Sequence, residues 1–239
     1  MGCDIQKTFM VDVAANCRKV LERISEAASK CGRDPKGIKL LAASKAQNAS
    51  RIRQAIEAGI GLFGENYVQE AKAKREAIKD PVEWHMIGHL QRNKVKTALE
   101  IFDLIQSLDS LELARELDRE GKKRGKTVRV FLEVILGGEE GKSGIAKDEV
   151  GSLLREVAKL PYLRIEGLMS VPPFSENPEE MRPYFRALKE LKSDLMALNL
   201  PNVELKELSM GMTHDYPVAI EEGSTLVRIG TAIFGPRSA

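Results

Sequence analysis

The stretch Ile38-Lys39-Leu40-Leu41-Ala42-Ala43-Ser44-Lys45 decides the fold of this chain. Its central run, 40–43, is apolar throughout, which predicts a strand buried on both faces, as in parallel sheets. The strand ends at Lys45, and ligands bind at the carboxyl ends of parallel strands in such folds. An amine at the edge of an apolar layer favours its neutral form, which can condense with an aldehyde or ketone to a Schiff base. On this stretch alone, a lysine that extends from the strand end into water is the simpler alternative.

Strand and helix patterns alternate along the rest of the chain. A helix comes first, because six residues are apolar at helical spacing: Val13, Cys17, Val20, Leu21, Ile24 and Ala28. Eight predicted strands follow, with short helices or loops between them. The strands are predicted at 38–45, 62–65, 83–88, 102–107, 127–136, 163–170, 203–210 and 226–230.

This alternation predicts one domain over residues 1–239 with an α/β fold, a (β/α)8 TIM barrel preceded by one extra helix. Such a barrel needs about 250 residues, close to the 239 present. No change of composition and no Gly-, Pro- or Ser-rich linker divides the chain. A doubly wound open sheet is the alternative, but such sheets rarely contain eight units this regular.

Composition excludes several classes of function. The 37 basic and 35 acidic residues nearly balance, so nothing indicates a nucleic acid or a membrane surface as partner. No apolar run reaches the roughly 20 residues of a membrane span, and no signal peptide is recognisable. Three cysteines without a CxxC pair are typical of a reducing compartment, so we expect a cytoplasmic protein.

Because His85, His89 and His214 lack ligand spacing, we expect no metal site, and His85 is expected to be a hydrogen-bonded core residue.

The loops after the seventh and eighth strands are rich in small residues. They cover 209–213 and 230–235, the two places where barrel enzymes commonly bind phosphate. Glycine lets backbone N–H groups approach an oxyanion, and the hydroxyl groups of Ser209, Thr213 and Thr231 add donors. Two turns that merely use glycine are the alternative.

Two polar side chains near strand ends each have two interpretations. Arg228 can pair with a core carboxylate such as Glu166, or it can point at a ligand, where it would keep a pyridine nitrogen unprotonated. Asn66 can supply an amide to a ligand or cap the following helix.

The segment 137–143 resembles a phosphate-binding P-loop but has Leu136 where that motif needs glycine, so we expect a loop over the barrel mouth. The basic strip Arg92, Lys94 and Lys96 is a solvated face, or it binds an anion or an acidic partner.

Several stretches together resemble one known family. They are Ala43-Ser44-Lys45, Phe63-Gly64-Glu65-Asn66-Tyr67-Val68-Gln69-Glu70, 84–94, Gly167-Leu168-Met169-Ser170, 209–213 and 221–235. On these stretches the chain resembles the pyridoxal phosphate homeostasis proteins, and the resemblance covers nearly the whole chain. These are stand-alone relatives of the N-terminal barrel of alanine racemases, which belong to fold-type III.

The resemblance implies a cofactor site. Lys45 would carry pyridoxal 5'-phosphate (PLP) as a Schiff base, Arg228 would lie near the pyridine nitrogen, and Asn66 would lie near the cofactor. Departures from the family are small: Gln106 and His89 stand where His and Pro are common, and Thr213 stands where Ser is usual. The phosphate is implied to bind Ser209, Gly211, Met212, Thr213, Gly230 and Thr231.

We therefore expect a non-catalytic PLP-binding protein that sequesters the cofactor or delivers it to apo PLP-dependent enzymes, as a monomer or weak homodimer. A racemase-like enzyme is the alternative. It needs a base on each face of the cofactor, and in alanine racemases the second base comes from a C-terminal β domain. Because this chain stops just after 234–235, we expect that domain to be absent. A Schiff-base aldolase-like barrel that acts on a sugar phosphate is the third possibility.

Overall fold

The computed structural model describes residues 11–137 and 143–236. Eight parallel strands form a closed barrel in the order β4-β3-β2-β1-β9-β8-β7-β5, and pairing between β4 and β5 completes the ring. The two-residue β6 pairs with the end of β5. The predicted (β/α)8 barrel is confirmed. The strands are β1 (Lys39–Ala43), β2 (Leu62–Glu65), β3 (Glu83–Met86), β4 (Leu104–Leu108), β5 (Val128–Ile135), β6 (Ile145–Ala146), β7 (Leu163–Met169), β8 (Val203–Ser209) and β9 (Leu226–Ile229).

Helices surround the barrel on its outer side. The extra N-terminal helix α1 is confirmed: the side chain of Asp12 accepts a hydrogen bond from the Ala15 amide at its start, and its apolar stripe packs against α2, α8 and α9. The helices are α1 (Val13–Lys30), α2 (Ala49–Glu57), α3 (Val68–Ala77), α4 (Val95–Ile101), α5 (Leu111–Arg124), α6 (Val150–Val157), α7 (Arg182–Met196), α8 (Tyr216–Glu221) and α9 (Thr231–Phe234).

The decisive strand β1 is buried on both faces, as its apolar run predicts. Leu40 and Ala42 belong to the outer core between strands and helices. Leu41 points the other way, into the barrel, where it packs in an inner layer that includes Leu104 and Phe131. A strand with apolar layers on both faces leaves its polar residues at its ends, which places Lys45 at the carboxyl edge of the ring.

Some short elements differ from the predictions. The basic strip does not lie on one helix, because residues 92–94 form a 3-10 turn and α4 begins only at Val95. Strand β6 and helix α9 were not predicted. Most of the predicted loop over the barrel mouth, 138–142, lies outside the described residues.

Two expected absences can be examined within these ranges. No helix among the described residues is long and apolar enough to cross a membrane. Across 11–137 and 143–236, no group of three or more His, Cys, Asp or Glu side chains is arranged to hold a metal ion.

Candidate functional site

A cavity of about 310 Å3 opens at the carboxyl ends of the strands. Four of the nine predicted site residues line it, namely Lys45, Asn66, Met212 and Arg228, and a second pocket adjoins it. That pocket shares Lys45, Met212 and Arg228 with the cavity. The remaining predicted residues that line it are Thr213, Gly230 and Thr231. The fold thus brings together residues that are up to 186 positions apart in sequence, because the barrel closes β9 against β1.

Arg228 lies on β9 and is buried. Its guanidinium donates to the carbonyl oxygens of Ser209 at 2.7 Å and Ser170 at 2.8 Å, and to Ser209 Oγ at 2.6 Å. Glu166, the expected alternative partner, instead accepts from Arg129 at 2.9 Å, so the predicted Arg228–Glu166 pair is wrong. Burial lowers the pKa of Arg228 to about 10, which leaves the group charged at neutral pH.

Ser209 lies beneath Arg228 and does not line the cavity. The residue is fully buried, and its hydroxyl donates to Gln106 Oε1 at 2.6 Å while accepting from Arg228. The sequence placed this hydroxyl in the phosphate loop. In the structure it is engaged by protein groups, because the last side chain of β8 points into the barrel and the long Gln106 reaches it from β4. We therefore assign Ser209 to holding Arg228.

The hydrogen bonds continue from Gln106 through the barrel interior. The Gln106 amide donates to His85 Nδ1 at 2.8 Å, so the proton of His85 lies on Nε2 and is donated to Glu83 at 2.9 Å. The bond from His85 helps to hold the pKa of Glu83 at about 2. We call the series Arg228, Ser209, Gln106, His85 and Glu83 the interior relay. His85 is thus the hydrogen-bonded core histidine that the sequence predicts.

Asn66 faces the cavity and is not a helix cap. Tyr67 is the N-cap of α3 and makes no side-chain capping bond, so the capping interpretation of Asn66 is wrong. Asn66 Oδ1 is buried and has no hydrogen-bond partner among the described groups. A Cβ on Gly88 would lie 2.5 Å from the Asn66 carbonyl oxygen, so only glycine allows the segments that follow β3 and β2 to approach this closely. An orphaned amide oxygen in a cavity is a group that a ligand donor can satisfy.

The two small-residue loops meet beside Lys45. Thr231 Oγ1 lies 3.3 Å from Thr213 Oγ1, and the backbone N–H of Ala232 donates to Thr213 Oγ1 at 3.4 Å. Gly211 does not line the cavity. It has φ of +93°, and a Cβ there would lie 2.6 Å from Ala219, so it shapes the loop that presents Thr213.

Glu133 is a cavity residue that the sequence analysis missed. It lies near the end of β5, and its Oε2 is buried without a hydrogen-bond partner among the described atoms. Burial raises the pKa of Glu133 to about 7, the Asp109 carboxylate adds to this, and Arg228 opposes it. A signal existed: Glu133 is two residues after Phe131, which points into the barrel, so strand alternation places its carboxyl group inside.

Comparisons with known proteins agree with this geometry. The sequence model of the family described as alanine racemase, N-terminal domain, matches residues 15–238. A pyridoxal phosphate homeostasis protein of Aquifex aeolicus is 47% identical over 220 residues, which cover 92% of this chain and 96% of that protein. The Escherichia coli K12 protein of the same name is 40% identical over 233 residues, with 95% and 98% covered. The chain belongs to the pyridoxal phosphate homeostasis protein family.

Solved structures resemble this homeostasis-family barrel closely. PipY of Synechococcus elongatus PCC7942 with PLP bound is 36% identical, with a TM-score of 0.81 over 90% of this chain and all (100%) of that one. An unknown protein from Bifidobacterium adolescentis is 36% identical, with a TM-score of 0.88 and 93% and 94% covered. An alanine racemase of Clostridium difficile 630, at 15% identity and a TM-score of 0.74, shares the fold.

The cavity of this family member has the donor set that PLP requires. Lys45 supplies an amine for an aldehyde, and the Thr213 and Thr231 loops supply hydroxyl and backbone donors for a phosphate. Arg228 supplies a buried cation, and the Asn66 amide oxygen has no donor among the residues that the structure describes. The residues present therefore fit the cofactor.

Proposed function

We propose that this chain binds PLP through Lys45 and takes part in intracellular PLP homeostasis by sequestering the cofactor or delivering it to other proteins. The observation that carries this proposal is that Lys45 and the buried Arg228 line both the cavity and the adjoining pocket, where the two small-residue loops meet. The similar PipY structure with PLP bound and the names of the curated relatives support it.

Each site residue has a role in this proposal. Lys45 holds the cofactor covalently as a Schiff base, Arg228 faces the pyridine nitrogen, and Asn66 contacts the cofactor with its amide. When bound, PLP supplies a reactive aldehyde, and attachment to Lys45 prevents it from modifying other amines. Gly211 shapes the phosphate loop and Ser209 holds Arg228. The phosphate group binds to Met212, Thr213, Gly230 and Thr231.

A binding role is favoured over racemase catalysis. An always-protonated Arg228 keeps a facing pyridine nitrogen unprotonated, which weakens the ring as an acceptor of electrons. Racemisation also needs a base on each face of the cofactor. Of the described residues that line the cavity and its adjoining pocket, none is a tyrosine, the residue that provides the second base in the racemases.

We propose a cytoplasmic monomer or weak homodimer, without nucleic acid or membrane partners.

Covalent capture on Lys45 is tested by reconstitution and reduction. Apoprotein incubated with PLP is expected to gain the yellow colour of the bound cofactor, and borohydride followed by peptide mapping is expected to mark Lys45. Lys45→Ala should lose both signals. Lys39→Ala is the matched control, because Lys39 lies at the other end of β1 and pairs with Glu207 on the opposite face of the barrel. A mark on another lysine in the wild type would overturn the assignment.

Delivery and catalysis are separated by two further measurements. Mixing the loaded protein with an apo PLP-dependent enzyme, with and without a trap for free aldehyde, shows whether the cofactor passes directly between proteins. Exchange of the Cα proton of alanine and serine is expected to be far below the typical enzyme turnover of about 10 per second. Exchange in that range would establish a racemase-like enzyme instead.

A further inference from the structure

Lys45 lies on a turn whose backbone is strained. Ala46, the next residue, has φ of +61°, a left-handed conformation that residues with a Cβ adopt rarely and at a cost in free energy. The turn is closed by the backbone N–H of Gln47, which donates to the Ser44 carbonyl oxygen at 3.0 Å. Strain of this kind persists only where surrounding groups determine the conformation.

One buried ammonium group holds the turn from outside. Lys74, on α3, is 7% exposed, and its Nζ donates to the Ser44 carbonyl oxygen at 2.6 Å. The same Nζ donates to Glu65 Oε1 at 2.7 Å and Glu70 Oε1 at 2.6 Å. Lys74 therefore links the residue before Lys45 to two carboxylates, one on β2 and one on its own helix.

The two carboxylates accept hydrogen bonds from the residues on both sides of Lys45. Glu70 Oε1 accepts from the backbone N–H of Ala46 at 2.6 Å. Glu65 is fully buried and accepts from the Ser44 hydroxyl at 2.5 Å. The backbone immediately before and after Lys45 is thus bonded to one charged group of residues. We call Ser44, Glu65, Glu70 and Lys74 the Lys74 cluster.

Burying the Lys74 cluster costs free energy, so its contribution to stability does not explain its presence. Removing two or three charges from water costs several kcal/mol per ion, and a buried ion pair is often no more stabilising than apolar residues of the same volume. Burial raises the pKa of Glu65, against the opposing effect of Lys74. Glu65 Oε2 has no hydrogen-bond partner within the described ranges. A costly, incompletely satisfied cluster that contacts a strained turn indicates a functional constraint.

We propose that the Lys74 cluster is a positioning device that holds the backbone of Lys45 so that its amine meets an aldehyde in the cavity. This inference rests on the proposed function, since it concerns the covalent step at Lys45. In that step the amine nitrogen attacks the aldehyde carbon, a C=N bond forms, and the two amine hydrogens leave with the carbonyl oxygen as one water. Because the cluster touches the backbone of the turn and does not line the cavity, it governs this step and not the affinity for the phosphate and ring.

Glu70→Ala is the informative variant, because Glu70 is half-buried and its loss leaves the Lys74–Glu65 pair intact. Glu70→Gln keeps an oxygen acceptor for Ala46 and should restore part of the effect. Glu120→Ala is the matched control: Glu120 also loses a bond to a lysine on its own helix, Lys123 on α5, away from the cavity.

Three measurements on these variants separate positioning from general damage. In the apoprotein, amide hydrogen exchange at Ala46 is expected to be about tenfold faster in Glu70→Ala, which corresponds to one weakened hydrogen bond. The rate of covalent PLP capture, followed by absorbance, should fall about tenfold. The affinity for 4-deoxypyridoxine 5'-phosphate, an analogue without the aldehyde, should stay within about twofold.

Each result bears on the proposal. Unchanged exchange at Ala46, or an unchanged capture rate, would overturn it. So would an equal loss of analogue affinity, because the cluster would then merely support the fold. If the wild type bound the analogue but never captured PLP, the proposed function would fail, while the exchange experiment would still report on the cluster.

Discussion

Replacement of Gln106 by leucine tests the interior relay. Gln106 is fully buried, accepts from Ser209 at 2.6 Å and donates to His85 at 2.8 Å. Leucine has a similar volume and no polar atom, so Gln106→Leu leaves one donor and one acceptor unpaired in the barrel. At about 1–3 kcal/mol for each orphaned group, the free energy of unfolding falls by about 2–6 kcal/mol. The buried leucine offsets roughly 1–2 kcal/mol of this, so the midpoints of the two ranges leave a net loss of about 2.5 kcal/mol.

Urea unfolding of the apoprotein measures this loss as a lower midpoint at an unchanged slope. Ile105→Val is the control on the same strand, since it removes one buried methyl group and no hydrogen bond, at a cost of about 0.5–1.5 kcal/mol. A double-mutant cycle with Ser209→Ala isolates the contact and should show a coupling of about 0.5–3 kcal/mol. A net loss below about 0.5 kcal/mol, or additivity of the two substitutions, would refute the relay.

Three further outcomes are expected. Burial raises the pKa of the Glu133 carboxyl group from 4.5 to about 7. The apoprotein should therefore lose up to about 3 kcal/mol of stability as pH rises through that range, and Glu133→Gln should abolish this dependence. Urea unfolding midpoints at about pH 5 and pH 8 measure the loss. Gly88→Ala pushes a Cβ against the Asn66 backbone, so PLP-analogue affinity measured by titration should fall about tenfold. Burial raises the pKa of Cys17 to about 11 whereas Cys31 is exposed, so iodoacetamide mapped by mass spectrometry should label Cys31 in the folded protein and Cys17 only after unfolding.

The barrel was predictable because its main signals are local. The apolar run around Leu41 and the helical spacing in α1 each occur within one element, and the order of elements then determines a parallel ring. The short α9 and β6 were missed because four and two residues are too few to show a period. The 3-10 turn before α4 was missed for the same reason, since its residues also fit a helical pattern.

The sequence predicts which segments form the site, but not which of their side chains contact one another. The order of strands alone places Lys45 and the Thr213 and Thr231 loops at one end of the barrel. The role of Ser209 was not accessible, because it depends on Gln106, which lies 103 residues away in sequence. Sequence patterns describe which face a residue occupies. They do not describe which of several polar side chains inside a barrel meet.

The direction of the interior relay explains how a buried Arg228 is accommodated next to a cavity. Arg228 contacts Ser170 and Ser209 through neutral oxygen acceptors, and the nearest charged member of the relay is Glu83 on the far side of the barrel. From Arg228 to Glu83 every member donates toward the carboxylate, so the bond dipoles oppose the positive charge along the whole path. This direction requires His85 Nδ1 to accept from Gln106.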